Sequence, residues 1–221
     1  MSLTLLQLRT AVRDNIEEAS AGYWSDAELT RKINSAYERL WMKIMQLRKN
    51  FFHATDEKTF TVGTNTVTLI DNFYRAKRFR IISAGEDSII FRYKDSSSPE
   101  FIELQRSDVT VALPSEFLFD ILGQNTLIVA PIPRVALTFK YDYYKIVTRL
   151  SADGDTFEII DPFISWVEHE ATSMLLAKGP VGAYKHWQDR AASEWIDLLL
   201  TLDTIKQDMT PDTVESMFDG T

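Results

Sequence analysis

The chain contains no cysteine, which excludes disulfides and thiolate metal sites and fits a reducing compartment. Glycine totals only 8, and no G-x-G-x-x-G or G-x-x-x-x-G-K-[ST] is present to cradle a nucleotide phosphate. No G-x-S-x-G elbow holds a nucleophilic serine. No run of about eighteen apolar residues occurs, and Met1 to Arg13 lacks a basic stretch followed by an apolar h-region, so neither a membrane span nor a secretion leader is expected. Positive charge is in deficit as well: 24 Lys and Arg stand against 32 Asp and Glu, for a formal net charge of -8. That balance argues against non-specific binding to a phosphate backbone, whose affinity comes from Lys and Arg displacing counterions.

What is present is a chain of 221 residues, 45% hydrophobic, long enough to bury a substantial core as one domain with an elaborated middle. Thr4 with Gln7 makes a T-x-x-Q capping box, and Leu5, Leu8, Val12 and Ile16 then recur at helical spacing. Ser25 and Glu28 form a second box before Leu29, Ile33, Ala36, Leu40, Ile44 and Leu47. These two helices read as an αα-hairpin over residues 1–50. Residues 51–158 change to short β-branched and aromatic runs separated by turn residues, the pattern of antiparallel strands. Hairpins are expected at Gly63-Thr64-Asn65, at Ser83 to Asp87 and at Gly123-Gln124-Asn125.

Asp161-Pro162 then places an N-cap and a first-turn proline. Ile164, Val167, Ala171 and Met174 or Leu175 form the inner face of the helix that follows. Gly179-Pro180 ends it, and Tyr184, Trp187, Ala191, Trp195, Leu198, Leu202 and Ile205 make a heptad-like seam. Residues 159–206 are thus a second helical pair, which completes a bundle with residues 1–50. The expected fold is α+β: a four-helix bundle, two helices N-terminal and two C-terminal, with an inserted antiparallel β region. Residues 207–221 form a polar, acidic arm whose apolar positions, Met209, Val214, Met217 and Phe218, suit docking on a neighbour.

Candidate chemistry has plainer readings. Glu168-His169-Glu170 cannot converge on one metal or proton, because adjacent helical residues point about 100° apart. No histidine follows His169 at the fourth position, so H-E-x-x-H is absent. Asp153-Gly154-Asp155 does not continue into a calcium loop and reads as a turn. No catalytic, cofactor-binding or metal residues are assigned, and no enzyme activity is expected. A hydrolase built from scattered carboxylates ranks behind two binding roles. One charge cluster stands out in this acidic chain: Arg75, Lys77, Arg78 and Arg80 around Phe79. Strand alternation puts Arg75 and Lys77 on one face and Arg78 and Arg80 on the other. Such a strand is either an edge guarded by charge or a strip facing DNA or an acidic partner, with the weak field multiplied by repetition in a ring.

The order of elements, with Leu5-x-x-Leu8-Arg9, Tyr23-Trp24-Ser25-Asp26-x-Glu28-Leu29, Ile33-Asn34-x-Ala36, Leu127 to Pro133 after a Gly turn, the Tyr141 to Val147 strand, and Asp161-Pro162 before Glu170-Ala171, resembles the head-to-tail adaptor, or connector, proteins of tailed bacteriophages. The resemblance implies a non-enzymatic ring, commonly of twelve subunits, that attaches beneath the portal, helps to retain packaged DNA and offers a docking surface to tail or nozzle proteins. It implies a place in the neck of the virion after synthesis in the host cytoplasm. The portal, tail proteins, further copies of the chain and channel DNA are the partners it points to. The interface residues then expected are Arg75, Lys77, Arg78 and Arg80 with Met209, Val214, Met217 and Phe218. The alternative is an interaction or regulatory module that uses the bundle as a binding platform.

Overall fold

The computed structural model describes residues 3–18, 22–47, 49–82, 89–106, 114–159, 162–177 and 181–208. They fall into two compact units, one made of the described residues of 1–43 and 148–208 and one of the described residues of 44–147.

The helical unit holds α1 (Leu5–Asn15), most of α2 (Asp26–Leu47), α4 (Pro162–Leu176) and α5 (Val181–Asp208). Both capping boxes form as the spacing requires. The Gln7 N–H donates to Thr4 Oγ1 at 3.3 Å while the Thr4 N–H donates to Gln7 Oε1 at 2.9 Å. The N–H of Glu28 donates to Ser25 Oγ at 3.3 Å, and that of Ser25 to Glu28 Oε2 at 3.2 Å. Leu5, Leu8 and Val12 of α1 are fully buried, as are Leu29, Ile33, Ala36, Leu40 and Ile44 of α2, whereas Leu47 is exposed.

A four-helix bundle is nevertheless not the architecture. In a bundle each helix buries one stripe of comparable width. Here α4 buries Phe163, Ile164, Trp166, Val167, His169, Ala171, Thr172, Ser173 and Leu175, which lie round most of its circumference, and both α1 and α5 pack against it. Irregular chain supplies part of the remaining core. Leu150, Phe157 and Ile159 are buried, Phe157 meets Tyr37 edge-on at 5.0 Å, and the Glu158 N–H donates to the Tyr37 hydroxyl at 2.9 Å. Asn34 holds this segment by both ends of its amide: Nδ2 donates to the Leu150 carbonyl at 2.8 Å and Oδ1 accepts the Leu150 N–H at 2.9 Å.

Among the described residues the second unit holds seven strands in two sheets, a short 3-10 turn (Lys49–Phe52) and α3 (Pro99–Arg106). The strands are β1 (His53–Phe60), β2 (Thr66–Thr68), β3 (Phe73–Ile81), β4 (Ile90–Tyr93), β5 (Glu116–Leu122), β6 (Thr126–Ala130) and β7 (Leu137–Lys145). One sheet has the order β1-β7-β3 and the other β2-β6-β5-β4. Alternate residues of both supply one core, in which Phe60, Phe79, Phe117, Leu127, Val129, Phe139 and Tyr141 are buried. On its other face the four-stranded sheet carries α3, whose Phe101 packs with Leu118 and Ala130.

Two expected hairpins are not pairings. Gly63 does take positive φ, and the Thr64 N–H donates to the Thr61 carbonyl at 3.1 Å. The turn, however, passes the chain from β1 in one sheet to β2 in the other. Likewise β3 and β4 belong to different sheets; residues 83–88 between them lie outside the described residues. Only the third expected hairpin pairs, with Leu122 opposite Thr126 across Gly123, whose φ is +63°.

The expectation of an all-antiparallel region is corrected too, because β4 and β5 run parallel. Parallel neighbours need a crossover, commonly helical, and α3 supplies it. Ser98 caps that helix, with its Oγ accepting the Phe101 N–H at 3.4 Å, and Pro99 opens it.

Candidate functional site

β3 alternates regularly only over its last residues, Arg78 to Ile81. Its pairing with β7 slips between Phe73 and Arg75 and again between Ala76 and Arg78, so Tyr74 and Lys77 are bulge residues. Ala76, Phe79 and Ile81 stand opposite Tyr143, Tyr141 and Phe139, which are buried, while Arg75, Arg78 and Arg80 stand opposite Tyr144, Asp142 and Lys140. The division expected from unbroken alternation, Arg75 apart from Arg78 and Arg80, is therefore corrected. The bulge at Lys77 returns all three arginines to the outer face of the sheet, and all four basic residues are exposed.

The outer face of β7 adds Lys140, and β1 adds Glu57 opposite it. Asp142 is the acid at the centre of this face. It accepts from Arg80 Nη2 at 3.1 Å and from Thr55 Oγ1 at 2.8 Å. Among the described residues no carboxylate lies in ion-pair range of Arg75 or Arg78. The face is thus net positive in an acidic chain. Its inner side is anchored by Tyr141, whose hydroxyl donates to Asp56 Oδ2 at 2.8 Å and accepts the Ile70 N–H at 3.2 Å. Burial, together with the Asp56 carboxylate, pushes that hydroxyl's pKa up, so it stays a donor.

β3 is the edge of its sheet and β4 the edge of the other. Between them opens a cleft of about 750 Å³, lined by Phe79, Phe91 and Phe119 and by Lys77, Arg78 and Tyr93. The rings are in contact, Phe79 with Phe119 at 4.8 Å, Phe79 with Phe91 at 5.5 Å and Tyr93 with Phe119 at 5.8 Å. Sequence reading found the basic residues and missed Phe91, Tyr93 and Phe119, because the parallel pairing that brings them beside β3 has no signature in the runs themselves. Met209, Val214, Met217 and Phe218 lie outside the described residues.

The acidic and histidine clusters of the helical unit are committed to structure. On α4, Glu168 Oε1 accepts from Asn15 Nδ2 at 2.7 Å, His169 Nδ1 lies 2.7 Å from Glu194 Oε2, and Glu170 Oε1 accepts from Arg39 Nη1 at 2.7 Å. Three neighbours thus turn to three different partners. Asp155 closes a turn by accepting the N–H groups of Ser151 and Ala152 at 2.6 and 2.8 Å, which holds its pKa below the ordinary carboxylate range. The Leu5 N–H at the start of α1 donates to the Asp155 carbonyl at 2.9 Å, and Asp153 pairs with Arg9. Among the described residues no group of His, Asp and Glu could hold a metal ion, and no helix is long and apolar enough to cross a membrane.

The described site is a basic sheet face beside an aromatic cleft with a sheet edge on either side. Residues 3–214 match the family model described as SU10 adaptor protein, and the chain belongs to that family of bacteriophage structural adaptors, head–tail adaptors of the virion. No curated protein matches the sequence.

Proposed function

We propose that this chain is a non-enzymatic head–tail adaptor that forms a ring beneath the portal, joins the capsid to the tail and helps to retain packaged DNA. The family match over residues 3–214 carries this reading. The surface is consistent with it. A single copy offers a modest positive face on a chain of net charge -8, and a ring repeats that face around an axis. Weak contacts tethered side by side become strong without any one tight interface, and heterologous contacts that close give a ring. The interface would use Arg75, Lys77, Arg78 and Arg80 of β3 with Met209, Val214, Met217 and Phe218 of the arm. Where the basic face lines the channel it meets DNA through phosphates, a contact that weakens steeply with salt.

Portal rings encoded by the same genome provide the test. Mixed with them, the protein should co-elute on size exclusion at a fixed stoichiometry. A chain ending at Asp208 should melt at an unchanged temperature and co-elute less. Separate elution of two folded partners at all ratios would count against the adaptor reading.

A further inference from the structure

We propose that the cleft between β3 and β4 receives residues 209–221 of a second copy of this chain. The inference rests on the ring reading above and names the contact that links one subunit to the next. The cleft combines three features. Its wall is aromatic, with Phe79, Phe91 and Phe119 in mutual contact. Its rim is basic, with Lys77 and Arg78, and Arg78 has no carboxylate in ion-pair range among the described residues. Both flanking strands are sheet edges, and within the described sheets β3 pairs only with β7 and β4 only with β5. An open edge beside a hydrophobic pocket is the arrangement that accepts an added peptide segment through main-chain hydrogen bonds and side-chain anchors.

Residues 209–221 have the complementary chemistry. They carry Asp212, Glu215 and Asp219 and no Lys or Arg, together with Met209, Val214, Met217 and Phe218. Phe218 and the two methionines match an aromatic wall, since thioethers pack favourably against rings, and the three carboxylates match the rim. Exposed Ile90 and Tyr93, each 63% accessible, would be covered by such a segment. Charge pairing at the rim would select this segment over others and fix its register.

The absence of cysteine makes the contact directly testable. Tyr93→Cys puts one thiol at the cleft, and Ser216→Cys puts one in the arm of a different, affinity-tagged full-length molecule. The two are mixed under mild oxidation. Tyr23→Cys, at a position 78% exposed in the helical unit, is the control. Mixed disulfide with Tyr93→Cys should form at least about tenfold faster than with the control, since exchange rates follow proximity as well as access. Adding Arg78→Glu to the cleft partner should remove that advantage, and adding Glu215→Lys to the arm should restore it.

Linkage no faster than the control overturns the proposal. So does insensitivity to the charge swap, or a bond that forms only within one molecule when a chain carries both thiols. Portal co-elution measured on the same variants keeps the two readings apart. If the Tyr93→Cys and Ser216→Cys molecules, with no charge change, co-elute with the portal yet link no faster than the control, the cleft contact is wrong and the adaptor reading stands.

Discussion

Arg75 and Arg78 share one face of β3, opposite Tyr144 and Asp142 of β7, although they are three positions apart. In an unbroken strand an odd separation puts two side chains on opposite faces. The slip at Lys77 adds one residue and restores the phase, so a cluster that looks split in sequence becomes a single positive face. Bulges occur where a sheet edge re-aims its side chains, and here the side chains are charged.

The double replacement Arg75→Glu with Arg78→Glu should therefore separate binding from folding. Both residues are exposed, so the melting temperature is expected to move by no more than about 1–2 °C. Affinity for the portal ring should fall by at least about tenfold, and its salt dependence should shrink. Calorimetric melting and binding titrations at two ionic strengths check both halves.

The tryptophans of the helical unit should differ in weight. Trp166 is 2% exposed, whereas Trp195 is only half-buried, and the two rings meet at 6.2 Å. Trp166→Ala is expected to cost about 3–5 kcal/mol, and Trp195→Ala about 1–3 kcal/mol for its smaller buried area. The Lys43 ammonium sits 4.7 Å from the Trp195 ring centre and 5.2 Å from that of Trp166. Lys43→Met should accordingly lose about 0.5–2 kcal/mol while its stem still packs. Urea unfolding of the three variants gives the order.

Asn34 is the residue through which α2 holds the irregular segment after β7. Replacing it by alanine strands the N–H and carbonyl of buried Leu150, and each group left without its bond costs about 1–3 kcal/mol. Faster amide exchange at Leu150, with β7 unaffected, would locate the loss; uniform exchange across the chain would contradict it.

Acid should weaken the helical unit. Asp155 is held below the usual carboxylate range by the Ser151 and Ala152 N–H groups, and Asp26 by its hydrogen bond from Arg13. For Glu18, burial acts to raise the pKa and is outweighed by the Trp24 and Tyr23 N–H groups and by Arg13. A folded-state pKa below the unfolded value means that the ionised form favours the native state. The contribution is complete above the unfolded values, near pH 4, and is lost as pH falls through the lower folded values. The melting temperature should thus decline progressively below about pH 4. Asp155→Asn should lower it at neutral pH and flatten that decline.

The helices were largely legible in the sequence, because caps and three-and-four spacing are local. Both capping boxes form, and the residues expected to face inward on α1 and α2 are buried apart from half-buried Ile16 and exposed Leu47. How the helices pack was not legible. The width of the buried surface on α4 depends on which elements surround it, and the 148–159 segment that supplies part of that core has no period to read. In the β region the strands were visible and their partners were not. Pairing is non-local, and a turn such as Thr61 to Thr64 looks the same whether the chain returns to its own sheet or crosses to another. The Ser98-Pro99 start of α3 repeats the Asp161-Pro162 pattern that did identify α4. It was hidden by the surrounding strand runs, and with it went the parallel crossover that creates the cleft.

Electron microscopy of the protein mixed with the portal ring of the same genome, beside each component alone, tests the adaptor role most directly. The expected image is an added ring of density beneath the portal, with subunits in register with those of the portal. Portal particles indistinguishable from the unmixed sample, with this protein folded and present in excess, would contradict it.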